Sequence, residues 1–345
     1  MNMKKIALLA GGKLELQNPE DTIVLQDGMV KVHVSACGIC GSDLALLSGK
    51  RDVTKEKYFG HEFSGVVTEV SGGSVAVKPG MRVASEVSRT CGRCWNCLNG
   101  LPEYCRSLND AITPGGFTEF TLARSTPDYG FLSPIPDAID DITAALMEPT
   151  NCAYQIAMKA NIKPGDNVVV YGLGAMGIIA AIILKRMGAG SIVCVGRRPA
   201  RQEKARQTGI FDAVVGNDEA GMAVIREICG EHGADVVIEA TGTPAVLSQA
   251  MTTARYGGRV VAASVYHGTI PEFDPLPIFR RELTIIGAKG PCAFRRSDGS
   301  SAVVYMMSLI KDDLAKIIRV YDFKDALQAF EDARSGEAIK AVIKF

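Results

Sequence analysis

The chain has 345 residues, too many for one ordinary domain; 47% are hydrophobic and 22% charged, a globular balance that excludes a disordered chain. The 38 Lys and Arg offset 38 Asp and Glu, so no net field draws the chain to nucleic acid or anionic lipid. Aromatics are 6% with a single Trp, which argues against a base-stacking surface.

In chain order, the opening segment holds an apolar run of about five residues, too short for a secretory signal. Residues 1–36 read as short strands, and 31–36 alternates polar and apolar side chains, the period of a half-buried strand. Glycine-punctuated segments at 60–73 and 114–117 extend this pattern and predict an all-β unit. The pattern changes after 162–166. Apolar strands at 168–171, 191–195, 212–215, 235–240 and 259–264 then alternate with helices at 175–187, 199–208, 219–229 and 244–254. That alternation predicts an α/β fold with a doubly wound parallel sheet. Residues 300–345 read as two helices and a last strand at 341–344. The longest uncharged stretch, 167–184, falls short of the roughly 20 residues of a membrane span, and its glycines suit a soluble turn. A cytoplasmic protein is expected, in which the 10 cysteines are metal ligands or buried thiols before they are disulfides.

Cys91, Cys94, Cys97 and Cys105 form the strongest local signal. Their tight spacing presents four thiolates to one tetrahedral cation and leaves no open position, so a structural zinc is expected. An iron–sulfur cluster is the rival, but the seven-residue gap before Cys105 departs from ferredoxin spacings.

The segment Gly172, Leu173, Gly174, Ala175, Met176, Gly177 follows an apolar strand and opens a helix. Glycine–x–glycine–x–x–glycine alone is weak, but in that context it brings a pyrophosphate close to backbone N–H groups at a helix N-terminus. A third set is scattered along the chain: Cys37 and Cys40 with Ser42 and Asp43, then His61 and Glu62, then Glu148. Taken singly, each is a packing or surface residue. Together they offer a thiolate, an imidazole and one or two carboxylates, a catalytic type of zinc set with room for water or substrate.

These features, in this order, resemble the zinc-dependent medium-chain dehydrogenase/reductase family of alcohol, polyol and threonine dehydrogenases. The matching segments are CGICGSD at 37–43, GHE at 60–62, the four-cysteine lobe, MEP at 147–149, GLGAMG at 172–177, EATG at 239–242, RELTIIG at 281–287 and SGEAIKAVIKF at 335–345. The resemblance implies a GroES-like, β-rich catalytic domain at 1–149 and 290–345, with a zinc lobe at about 88–106. It implies a Rossmann coenzyme-binding domain at 150–289. It makes Cys40 and His61 ligands of a catalytic zinc, completed by Glu62 or Glu148, so that two Zn2+ per subunit are expected. Ser42 would hand on the substrate proton, and Asp43 would orient the zinc-bound His61. Lys340 would contact the coenzyme pyrophosphate. Thr241 and Ser264 join the coenzyme set.

Two positions depart from the family pattern. Ala45 stands where many members carry an outer proton-relay His. Gly196, followed by Arg197 and Arg198, stands where an acidic residue binds the ribose hydroxyls in NAD enzymes. NADP(H) is therefore expected over NAD(H), with Gly196 leaving space for a 2′-phosphate and Arg201 and Lys204 near enough to add to the field.

The expected reaction is reversible oxidation of a secondary alcohol to a ketone, on a polyol, sugar, cyclitol or amino alcohol, in a homodimer or homotetramer. Three cations within 289–296 would suit an acidic substrate. A reductase working in the opposite direction is one alternative. A non-catalytic zinc- and dinucleotide-binding redox sensor is another.

Overall fold

The computed structural model describes residues 3–20, 23–25, 27–48, 59–72, 77–86, 91, 93–101, 104–106, 115–126, 129–130, 132–266, 269, 273–290 and 300–345. It divides into two compact units, Met1–Asn151 with Pro291–Lys311 and Ile318–Phe345, and Cys152–Gly290 with Asp312–Ile317. No described helix is long and apolar enough to cross a membrane.

The first unit is built around the strand Met29–Gly38. Val30, Val32 and Val34 are fully buried while His33 and Ser35 are half-exposed, the two-residue period of a pleated strand. One edge of this strand pairs antiparallel with Glu62–Val70, placing Gly38 opposite Glu62. Along the other edge, Phe120–Thr126 covers the first half. The C-terminal strand Lys340–Lys344 covers the end, with Val342 opposite Gly38. Ile318–Asp322 lies parallel to that last strand, and Arg82–Ser85 and Leu132–Pro134 extend the sheet beyond Glu62–Val70. Val32, Phe63, Phe117, Phe330 and Ile343 share the core beneath the sheet, so the last 30 residues are packed into the same core as the first 70.

The second unit is a six-stranded parallel sheet. Its strands are Asn167–Tyr171, Ser191–Val195, Ala213–Val215, Ala234–Glu239, Ala254–Ala262 and Thr284–Gly287. In chain order they lie third, second, first, fourth, fifth, sixth across the sheet. Val168, Val169 and Val170 are all fully buried, as a strand covered on both faces must be, so the run is apolar without alternation. The helices Ala175–Arg186, Pro199–Gln207, Glu219–Cys229 and Pro244–Thr253 connect the strands. Strand order reverses between the first strand and the fourth, and the crevice at such a switch point is where open α/β sheets bind ligands.

Candidate functional site

Cys40 precedes the helix Gly41–Leu47, and Asp43 in the first turn turns its carboxylate back to accept the Cys40 N–H at 2.9 Å. That cap fixes the loop from which the Cys40 thiol projects. The other Asp43 oxygen accepts the Gly60 N–H at 3.3 Å and faces His61 Nδ1 at 4.0 Å. One buried carboxylate thus ties together two segments 20 residues apart and leaves His61 Nε2 for another partner. Ser85 accepts from the Phe63 N–H and donates to the His61 carbonyl, which pins the same segment from the other side.

The result is a compact trio. Ligand atoms of Cys40, His61 and Glu62 lie within 4.8 Å of one another. Glu148, buried in the first turn of Met147–Ala160, stands outside that set but within electrostatic reach of His61. Burial alone would pull the His61 pKa down. The hydrogen bond to Cys40 and the negative charges of Cys40, Glu148 and Asp43 overcome it and hold the imidazole well above its ordinary value. So much negative charge in one buried place is the field of a cation site, and one thiolate, one imidazole and one carboxylate are a zinc donor set with a fourth position open. Cys37 is different: it is fully buried, burial pushes its thiol well up, and it donates weakly to the Gly38 carbonyl at 3.7 Å. It is a packing residue.

Ser42 is the second residue of the Gly41–Leu47 helix and half-buried; Ala45, one turn on, offers no polar group. Lys340 was expected at the coenzyme. Its buried ammonium instead donates to the Glu62 carboxylate and to the Ile39 carbonyl at 3.0 Å. This pair was not anticipated from the sequence, because its partners are joined only by the pairing of the last strand with Ala36–Gly38.

The four-cysteine lobe has the shape of a filled site. Its sulfurs lie within 4.8 Å of one another, with Cys94 to Cys97 at 3.5 Å and Cys94 to Cys105 and Cys91 to Cys97 at 4.0 Å. A tetrahedral ion with zinc–sulfur bonds of about 2.3 Å sets its sulfurs about 3.8 Å apart. The Cys94 N–H donates to Cys91 Sγ, and the Cys91 N–H donates to Cys105 Sγ, both at 3.2 Å. The backbone N–H groups of Cys97 and Arg106 bring the Cys94 thiol down to about 6, and that of Arg93 lowers Cys91, so the thiolates that a metal needs are favoured.

In the second unit the glycine turn divides its roles. Gly172 has φ +117, and a β-carbon there would stand 2.7 Å from the Ala240 carbonyl oxygen. A β-carbon on Gly177 would stand 2.2 Å from the Gly172 oxygen, so helix and strand pack only through a bare α-carbon. Gly174 caps Ala175–Arg186 with no side-chain bond, and the helix's first N–H groups are free to take an anion. A cavity of about 230 Å3 opens beside this turn. Gly172, Leu173, Gly174, Gly196, Arg197, Arg198 and Thr241 all line it, with Arg201 and Asn217. Ala175, Met176 and Gly177 lie behind it in the helix. Ser264 is not among the lining residues and packs near Gly242. Thr241 gives both its N–H and its hydroxyl to the buried carboxylate of Glu239.

Gly196 needs a correction. A β-carbon on it would lie 2.3 Å from Leu173 Cδ1, so its bare α-carbon makes way for Leu173 and not for a phosphate. The room lies on the arginine side of the cavity. Of the cationic segment at 289–296, only Lys289 and Gly290 fall among the described residues.

A family model described as alcohol dehydrogenase GroES-like domain matches residues 26–137, and one described as zinc-binding dehydrogenase matches residues 175–303. "Probable D-xylulose reductase A" of Aspergillus clavatus is 33% identical over 341 residues, 95% of this chain and 90% of that protein. Sorbitol dehydrogenase of Halalkalibacterium halodurans is 28% identical over 320 residues, 91% of each chain. A protein of Sinorhizobium meliloti 1021 solved with NADP superposes with a TM-score of 0.81 at 25% identity, over 100% of both chains.

Proposed function

The chain belongs to the zinc-dependent medium-chain dehydrogenase/reductase family, and from that premise we propose how its own residues carry out the reaction. It is an oxidoreductase of alcohols and polyols that uses zinc and a nicotinamide coenzyme. The observation that carries the site reading is the convergence of Cys40, His61 and Glu62 within 4.8 Å, beside Glu148.

Cys40, His61 and Glu62 hold the catalytic zinc. When bound, the ion supplies Lewis acidity to the substrate oxygen and the nicotinamide supplies a hydride acceptor. Ser42 takes the substrate's hydroxyl proton at Oγ, and with Ala45 in the outer position water carries it onward. Asp43, whose carboxylate faces His61 Nδ1 at 4.0 Å, would orient the imidazole when the metal is bound. Lys340 holds the Glu62 carboxylate in place. Glu148 adds negative charge that favours the cation. Cys91, Cys94, Cys97 and Cys105 hold a second, structural zinc, giving two ions per chain.

NADP(H) is preferred over NAD(H). Three arginines and, among the described residues, no carboxylate line the cavity beside the glycine turn, and a guanidinium fork suits phosphate oxygens. A homodimer or homotetramer is supported by the outermost strand Thr284–Gly287, whose Ile285 is exposed, and by the 83% exposed Phe279. A reducing, cytoplasmic compartment suits a lobe whose four cysteines converge as metal ligands.

The test is steady-state turnover of a panel of polyols and secondary alcohols with each coenzyme, in wild type and His61→Ala. Turnover that survives His61→Ala at the wild-type rate would remove the trio from the chemistry.

A further inference from the structure

Glu239 is the last residue of the strand Ala234–Glu239 and is fully buried. It stands opposite Tyr171 of the first strand of the parallel sheet, where the strand order reverses. One carboxylate oxygen, Oε1, accepts the Thr241 N–H at 2.7 Å and also the Thr241 hydroxyl. The other, Oε2, is covered and has no hydrogen-bond partner among the described residues. No Lys, Arg or His among the described residues pairs with either oxygen. The Tyr266 hydroxyl, also covered and without a partner, does not relieve the charge. Burial, and then the Glu239 carboxylate beside it, push the tyrosine pKa well above its ordinary value.

A carboxylate buried without a cation is unfavourable. Holding Thr241 does not require one, because a glutamine amide oxygen accepts the same two hydrogen bonds. What glutamine lacks is the charge. The carboxylate lies directly behind the wall of the coenzyme cavity, since Thr241 lines that cavity. In a doubly wound sheet a dinucleotide crosses at the reversal of strand order, with one mononucleotide over each half. The adenosine half belongs with the strands that follow the glycine turn, and Glu239 ends the first strand of the other half. Oxidised nicotinamide carries a positive charge that the reduced ring lacks, while the phosphates and riboses are common to both. A fixed negative charge in a poorly solvated place therefore acts on the difference between the two forms.

We infer that the Glu239 carboxylate, from behind the cavity wall, stabilises the oxidised, cationic form of the bound nicotinamide coenzyme over the reduced form. This rests on the nicotinamide coenzyme and is independent of the NADP(H) preference proposed above.

The experiment is calorimetric binding of NAD+, NADH, NADP+ and NADPH to the zinc-loaded full chain, with thermal melting of each variant as a control. The quantity read is the dissociation constant of the oxidised form divided by that of the reduced form, within each pair. Glu239→Gln keeps an acceptor for Thr241 and removes the charge. It should raise the ratio about tenfold by weakening the oxidised form, the scale of one charge–charge interaction across a poorly solvated wall. Glu239→Ala should raise the ratio as much while weakening the reduced form too, and it carries the test if the glutamine variant melts early. Glu239→Asp keeps the charge and shortens the arm that reaches Thr241, so both forms should weaken and the ratio should stay within about twofold of wild type. A ratio that is unchanged or lower in Glu239→Gln would overturn the inference and leave Glu239 as a hydrogen-bond anchor for Thr241. A ratio that rises as far in Glu239→Asp as in Glu239→Gln would overturn it as well, because the charge is retained there. A wild type that binds none of the four would overturn the coenzyme reading itself.

Discussion

The ammonium of Lys340 rests on the carboxylate of Glu62, both buried, across the bare α-carbon of Gly38. The three residues come from three strands: Gly38 is opposite Glu62 in one ladder and opposite Val342 in the other. A β-carbon on Gly38 would stand 2.5 Å from Glu62 Oε2 and 3.1 Å from Lys340 Cε. Glycine here is a clearance that lets a charge pair form next to the proposed zinc ligands. Burial would lower the Lys340 pKa, but the negative charges of Glu62 and Cys40 raise it above its ordinary value.

Removing one member of such a pair strands the other charge out of water. Lys340→Met should therefore destabilise the chain by about 3 kcal/mol, the usual scale for an orphaned buried charge. Gly38→Ala is the finer probe. It collides with the far end of Glu62, so the melting temperature should move little. Retention of the catalytic zinc against a chelator should fall by about tenfold, as it does when a ligand's support is disturbed. Equal zinc retention in Gly38→Ala and wild type would detach the Glu62–Lys340 pair from the metal site.

The four-cysteine lobe gives the next expectation. Cys94→Ser should reduce zinc from about two ions per chain to about one and lower the melting temperature, because binding at a closed thiolate site is folding free energy. Cys40→Ser should also release one ion, but with loss of turnover and a smaller shift in melting. Elemental analysis together with scanning calorimetry separates the two. A Cys94→Ser chain that melts like wild type would mean that the lobe's metal does not support the fold.

What the sequence made legible was what it writes contiguously. The lobe's spacing and the glycine turn after an apolar strand are local patterns, and each is complete in the structure. Cys40, His61, Glu62 and Glu148 were legible as a zinc donor set by residue type, but their assignment as ligands came through resemblance, since no spacing rule joins positions 40 and 61. The Lys340–Glu62 pair was hidden because it depends on a strand pairing across 300 residues. The strand Ile318–Asp322 was missed for a local reason. It is a sheet edge with Arg319, Val320 and Asp322 exposed, so it carries no apolar alternation to set it apart from the helix before it. The strand Thr284–Gly287 is likewise a largely exposed edge.

Ser42 sits on a helix that Asp43 caps, so its position is fixed by the backbone and not by its own hydroxyl. Ser42→Ala should then leave melting and zinc content as they are. It should lower kcat by about 100-fold, the usual worth of a positioned acid–base group. Full wild-type rate across the pH range in Ser42→Ala would exclude Ser42 from the proton path.

Part of the chain's acid stability should trace to Asp235 in the parallel-sheet unit. The Asp235 carboxylate, although partly desolvated, is held below its ordinary value by the Arg255 guanidinium at 2.6 Å, the Asn167 N–H at 2.8 Å and the charge of Arg259. A depressed folded value means that the unfolded chain takes up the proton first. The stabilisation is therefore complete above the unfolded carboxylate pKa and is lost as pH falls through the lower folded one. Asp235→Asn should be less stable than wild type at neutral pH, and the gap should close as pH drops below about 4, the ordinary aspartate range. Melting curves measured from pH 3 to pH 7 would show it; a gap independent of pH would assign the loss to packing instead of charge.

Coenzyme choice at position 196 depends on how tightly its surroundings are packed. Reversing an NADP preference by placing an aspartate at 196 presumes open space there. The space is occupied: a β-carbon at 196 meets Leu173 Cδ1 at 2.3 Å and Cγ at 2.6 Å, and Leu173 lies inside the glycine turn. Gly196→Asp should thus distort the turn and impair both coenzymes together. Its melting temperature should also fall, because overpacking a tight site costs about 1–3 kcal/mol. Trimming the obstacle should restore the intended effect. In Leu173→Ala/Gly196→Asp the carboxylate has room to approach the ribose hydroxyls and to repel a 2′-phosphate. The ratio of kcat/KM for NADP to that for NAD should exceed one in wild type. It should change little in Gly196→Asp, where both values fall, and drop below one in the double variant. A single Gly196→Asp variant that melts like wild type and switches cleanly to NAD would show that Leu173 yields, and that the cavity wall at 196 is softer than its packing implies.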